Sequence, residues 1–136
     1  MRTIFLTLLV SFLIISCQKD ETPLKKTNEM MVGNWINPVY IDTLVTFEKA
    51  ATLIENQYGV SFEANNKMVE RKNSGWCGTP PIVTNDYTGE WNWNDSLVNI
   101  KVGYWGGTAE YTWQIISADD KKLVVTVVKS SFLEGK

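Results

Sequence analysis

The chain has 136 residues and not one histidine among them. That absence excludes Ser-His-Asp and Cys-His catalysis and any histidine-ligated zinc. Cysteine is nearly absent as well, present only as Cys17 and Cys77. Arginine occurs only as Arg2 and Arg71, no basic run exists, and the sequence pI is about 5.1, so no nucleic-acid partner is expected. Convincing helical periodicity is missing too; residues 49–56, KAATLIEN, offer one short helical turn at most. There are no internal repeats and no low-complexity tracts. What is abundant is aromatic: six tryptophans, five tyrosines and five phenylalanines.

The one long apolar run stands at the start. Arg2 precedes Ile4 to Ile15, which only Thr7 and Ser11 interrupt. A bilayer-spanning helix needs about 20 residues, whereas a signal-peptide core needs about 7–15. Residues 1–16 are therefore read as a cleaved signal peptide. Ile14-Ile15-Ser16-Cys17 resembles the bacterial lipobox, with an apolar residue three places before the cysteine and a small one just before it. That resemblance implies acyl chains, palmitate among them, on Cys17, and two or three chains suffice for stable anchoring to a membrane. Gln18-Lys19-Asp20-Glu21 is similar to the surface-export signal of Bacteroidetes lipoproteins, and the same residues also suit a plain solvated tether. Residues 17–29 form the lipidated cysteine and spacer. The expected location is the outer membrane, on the cell surface where the export signal is read.

Without residues 1–16 the net charge moves from −2 to −3, with 12 basic residues against 15 acidic. The 120 residues that remain suit one domain, placed at 30–136. Once Cys17 is acylated, Cys77 has no thiol partner within the chain, so no internal disulfide is expected. A small buried hydrophobe is the ordinary role of such a cysteine, ahead of a reactive thiol.

From residue 30 onward the pattern has period two. Tyr58, Val60 and Phe62 alternate with polar or small residues, Asn65-Asn66 turns, and Met68 to Lys72 returns. Trp91 and Trp93 lead through Asn94-Asp95 to Val98, Ile100 and Val102. Tyr111, Trp113 and Ile115 lead through Ala118-Asp119-Asp120-Lys121 to Leu123, Val125 and Val127. These hairpins, with strands near 31–37 and 43–49, predict an all-β, antiparallel up-and-down meander of about eight strands. Closing into a small barrel hides the edges and buries the aromatic face. The interior of an eight-stranded barrel is either packed or holds one small ligand. With tryptophans pointing inward, a mostly filled barrel is expected.

Gly33-Asn34-Trp35, at the start of the first strand, resembles the G-x-W signature of the lipocalins. The folded region is also similar to small lipocalin-like lipoproteins of Bacteroidetes, through "GNWINPVY", "GWCGTPPI" and "YWGGTAEY" in matching order. The resemblance implies a barrel whose Gly33 and Trp35 close one end, with a pocket for a small apolar ligand. It brings no catalytic residues, no cofactor and no metal. Lipocalins pack an arginine from the last strand over that tryptophan; here the last strand offers Lys129.

Residues 73–86, NSGWCGTPPIVTND, form the longest segment without strand pattern, and loops of that length are often functional. Trp76, Cys77, Pro80 and Pro81 are rim candidates there. The competing reading is a loop whose Trp76 and Ile82 cap the barrel end and shield Cys77. Tyr104-Trp105 before Gly106-Gly107 forms either a stacking platform or a core corner. Carboxylates such as Asp86, Glu90 and Asp95 are scattered singly, and nothing opposes two of them as a glycosidase requires. The chain is therefore read as a monomeric, non-enzymatic lipoprotein whose barrel binds a small apolar ligand. The alternative is a surface module that contacts glycan or protein through exposed aromatics, with no ligand cavity.

Overall fold

The alternation between apolar and polar residues becomes eight antiparallel strands in the computed structural model, which describes residues 28–135. They are β1 (Gly33–Ile41), β2 (Leu44–Ala50), β3 (Gly59–Phe62), β4 (Lys67–Asn73), β5 (Thr84–Asn94), β6 (Leu97–Tyr104), β7 (Gly107–Ala118) and β8 (Lys122–Glu134). The sheet closes in the order β1-β2-β8-β7-β6-β5-β4-β3, so the fold is the expected all-β barrel. The signal peptide, Cys17 and the Lys19-Asp20-Glu21 stretch lie outside the described residues.

The turns form where short polar residues tolerate unusual backbone angles. Asp42, Asn66 and Asp95 all have positive φ at hairpin turns, a region that Asn and Asp occupy more readily than bulkier residues. Asp119 caps the β7–β8 turn, its Oδ1 accepting from the Lys121 and Lys122 amides at 2.7 Å each.

From β3 to β8 the chain is an unbroken meander. The first hairpin enters differently, because β1 lies between β2 and β3. Residues 51–58 therefore have to carry the chain past β1. Asn34 Nδ2 donates to the Ala51 carbonyl and Arg71 Nη1 to that of Leu53, which pin this crossing to the outside of the wall. A side chain at Gly59 would meet Leu53 at 2.9 Å and the Trp35 carbonyl at 3.1 Å, so glycine permits the close approach. The crossing runs through bends and a turn instead of the short helix that KAATLIEN allowed, and β2 takes up its first two residues. The only helical turn among the described residues spans 28–31 and precedes β1.

Three bulges break the register: one at Ile116 of β7, and two that reset the alternation in β1 and β8. The β1–β2 register shifts between Ile36 and Val39, at Asn37 with φ 51° followed by Pro38. A proline without an N–H is tolerated at such a bulge. Trp35 faces inward before it; Pro38 and Tyr40 face inward after it. β8 shifts similarly opposite Thr112 and Trp113, leaving Val128 as the extra residue. Val125 and Val127 face inward before the shift, Ser130 and Phe132 after it.

The interior is packed at one end. Met31, Trp35, Phe62, Met68, Trp91, Val98 and Leu123 are buried there. Trp35 Nε1 donates to the Met31 carbonyl at 2.7 Å, so the helical turn and the first strand seal this end together. Phe62 meets Trp91 edge-on with ring centres 5.2 Å apart. The cation over Trp35 is Lys49 of β2, with Nζ 4.9 Å from the ring centre. This corrects the expectation for Lys129, which lies in an outer polar groove with Glu110 and Thr112. β2 is next to β1 around the barrel and β8 is one strand further away, so Lys49 is the cation within reach.

Candidate functional site

The other end of the barrel is open. A cavity of about 760 Å³ occupies it, which corrects the expectation of a mostly filled interior. The reason is local. Phe47 and Trp113 stack with ring centres 5.7 Å apart and form a platform across the barrel. Below the platform lie the packed tryptophans; above it the inward residues line the wall and leave the centre empty. The wall is also looser there. β2 pairs with β8 only as far as Thr126, and β1 pairs with β3 only over Gly33–Ile36. The mouth-side lengths of β1 and β8, both beyond their bulges, are thus paired along one edge. Bulges bend a strand and occur beside binding sites for this reason.

Aromatic side chains line the cup. Tyr40, Tyr58, Tyr104 and Tyr111 face it, with Trp76, Trp105 and Phe132 at the mouth. The rim rings are linked edge-on: Tyr104 to Trp105 at 5.6 Å and Tyr104 to Phe132 at 5.5 Å. Volume, aromatic lining and a small number of polar groups are the marks of a small-molecule pocket.

The polar groups come from β4, whose alternation puts Met68, Glu70 and Lys72 on one face. Met68 joins the core, and the next two inward positions are charged. Glu70 is the one buried charged residue among those described, at 2% exposure. Its Oε1 accepts from the Tyr58 hydroxyl at 2.7 Å and its Oε2 from Lys72 Nζ at 2.5 Å. Lys72 Nζ also reaches the Tyr111 hydroxyl at 3.4 Å. It lies 5.6 to 6.0 Å from the ring centres of Tyr87, Tyr111 and Tyr104. All five tyrosines of the chain therefore gather around one ion pair or line the cup above it. Burial, and then the Glu70 carboxylate, push the Tyr58 and Tyr111 hydroxyls well above their ordinary value. Tyr40 is raised from the same two causes. These hydroxyls stay protonated; that of Tyr58 is spent on Glu70, whereas that of Tyr111, which accepts from Lys72, keeps its own proton to donate.

The residues singled out in the sequence are divided by this geometry. Trp76, Tyr104 and Trp105 line the mouth together; Cys77, Pro80 and Pro81 sit on the exposed loop away from the cavity lining. Trp76 is 82% exposed, so the loop between β4 and β5 rims the cup and does not cap it. Cys77 is exposed as well, which overturns the expectation of a buried thiol. The Thr79 hydroxyl at 2.9 Å, with the Thr79 backbone, holds its thiol below the ordinary value. Gly33 and Trp35 stand at the closed end; Gly33 has φ +133°, a conformation L side chains rarely adopt.

Glu70, Lys72, Tyr40, Tyr58, Tyr111 and Phe132 were not anticipated. A signal existed for the first two, since two charges at inward strand positions contradict a filled apolar core. Tyr40 and Phe132 carried none, because each lies beyond a bulge that strict alternation cannot foresee. No group of three metal-ligating side chains occurs among the described residues. No protein-family model, curated protein or solved structure matches the chain.

Proposed function

We propose that this protein is a membrane-anchored lipoprotein whose barrel carries a small, largely apolar ligand in the aromatic cup. The observation that carries this reading is the cavity of about 760 Å³ lined by tyrosine, tryptophan and phenylalanine. Pockets of roughly 300–1,000 Å³ with such linings suit drug-sized molecules. The anchor fits the same picture. Residues 28–31 enter the barrel at its closed end, so acyl chains on Cys17 would join the domain opposite the mouth. The cup is then open to a ligand from the surroundings. No catalytic role is assigned to it.

Binding of N-phenyl-1-naphthylamine, a neutral apolar fluorophore, tests the cup. The full chain should enhance its emission at micromolar dye, and Tyr104→Ala should weaken the effect several-fold. Absence of binding by the wild-type protein would favour the second reading, a contact module. That reading rests on Trp76 and Trp105, which are more than half exposed. Anchoring is tested separately: Cys17→Ala should abolish incorporation of labelled palmitate. A variant that still takes up label would refute the lipobox.

A further inference from the structure

The cup's polar floor is asymmetric. Both oxygens of Glu70 are already engaged, one by Tyr58 and one by Lys72, and its side chain is 3% exposed. Lys72 is 15% exposed, lines the cavity, and has three N–H donors for one short bond and one long one. The donor capacity left over is therefore on the ammonium. The Tyr111 hydroxyl adds a second donor beside it, protonated across the physiological range. A cationic ligand finds its place taken, since the faces of Tyr87, Tyr104 and Tyr111 already surround Lys72 Nζ. An acceptor finds an open charge-assisted bond in a site shielded from water, where such bonds are strong.

Resting on the reading of the cup as a ligand site, we infer that its ligand carries one anionic head, of the carboxylate kind, on an aromatic or otherwise apolar body. The head goes down to Lys72 Nζ and the Tyr111 hydroxyl. The body fills the space between Tyr40, Tyr104 and Phe132 and ends at Trp76 and Trp105. Glu70 does not touch the ligand; it holds Lys72 in place and keeps the floor neutral until the head arrives.

Three probes of one shape separate the cases: 2-naphthoate, 2-naphthamide and 2-naphthylmethylammonium, titrated calorimetrically into the full-length chain in nonionic detergent. The carboxylate should bind at least about tenfold more tightly than the amide, the scale of one charge-assisted hydrogen bond. The ammonium should bind most weakly. Lys72→Arg should retain the preference. The paired change Glu70→Gln with Lys72→Met leaves no unpaired charge and should erase it, while binding of the amide stays within about threefold. Equal affinity of all three probes would overturn the anionic head and leave the cup standing as an apolar site. Tightest binding by the ammonium would reverse the assignment. If no probe binds and the neutral dye does not bind either, the ligand site itself is refuted. Should the paired variant fail to fold, the order of the three probes on the wild-type protein decides alone.

Discussion

At the closed end, Trp35 is wholly buried and gives its indole N–H to the Met31 carbonyl; at the mouth, Trp76 stands 82% exposed on a loop. The same barrel therefore uses one residue type in two opposite ways. The closed end is held by a densely packed aromatic core and by a helical turn that plugs it. The mouth end has two bulged strands paired along single edges and an ion pair where the core would continue. The packed core and the open cavity thus occupy different halves. A packed end supplies the free energy that allows the other end to stay open around its cavity.

The sharpest way to break that comparison is to truncate its first member. Trp35→Ala should destabilise the fold by about 3–5 kcal/mol, the usual range for a buried tryptophan lost to alanine. It would remove the Lys49 contact and the indole bond to Met31 along with the volume. Urea unfolding of the variant measures it. A change within roughly 0.5 kcal/mol, the scale of neutral surface substitutions, would mean that the closed end is not where stability resides.

A smaller effect should come from the tyrosines at the floor of the cup. The folded protein keeps the protons of Tyr58 and Tyr111 above the ordinary value near 10, whereas the unfolded chain releases them there. Their contribution is therefore complete below about pH 10 and is lost as the pH rises beyond it. Melting temperature should be level up to that point and fall above it. Tyr58→Phe together with Tyr111→Phe should flatten the fall, whatever it does to the starting stability. An unchanged slope would show that these hydroxyls are freely hydrated in the folded state and that the cup is wetter than its lining implies.

Legibility in the sequence followed the same division between the two ends. The filled half was readable because its strands, apart from the shift at Ile116, keep alternation: Val60 and Phe62, Trp91, Val98 and Ile100, and Leu123 and Val125 all fall inward as period two requires. The turn residues were equally plain, since Asn66 and Asp95 tolerate positive φ. The cup was not readable from alternation. Bulges at Asn37 and Val128 exchange inward and outward positions, so Tyr40 and Phe132 face inward although their parity says otherwise. The exchange of β1 and β2 around the barrel likewise has no local signal, because it depends on where residues 51–58 cross. Lys49 for Lys129 is a consequence of that exchange. Glu70 and Lys72 were visible as charges on an inward face, and a carboxylate and an ammonium two residues apart on one strand are close enough to pair. What the residues alone did not convey was that half the barrel would be empty enough to need them.

The smallest effect on stability, and the one that completes the comparison, belongs to the loop between β4 and β5. Trp76→Ala removes a side chain that is mostly in water, so stability should change by no more than about 0.5 kcal/mol. Binding of the apolar fluorophore should nevertheless weaken, because Trp76 is part of the cavity lining. Its neighbour supplies an independent readout. Cys77 is exposed, and its hydrogen bond with Thr79 favours the thiolate. Thiolate is the reactive form, so the native protein should react with a small disulfide reagent at neutral pH at least as fast as the urea-unfolded chain. Thr79→Val should slow that reaction without altering the melting curve. A protected thiol in the native state, together with a Trp76→Ala variant that melts early, would mean that the loop folds down as a plug. The mouth would then resemble the closed end, and the separation of stability from binding along the barrel would fail.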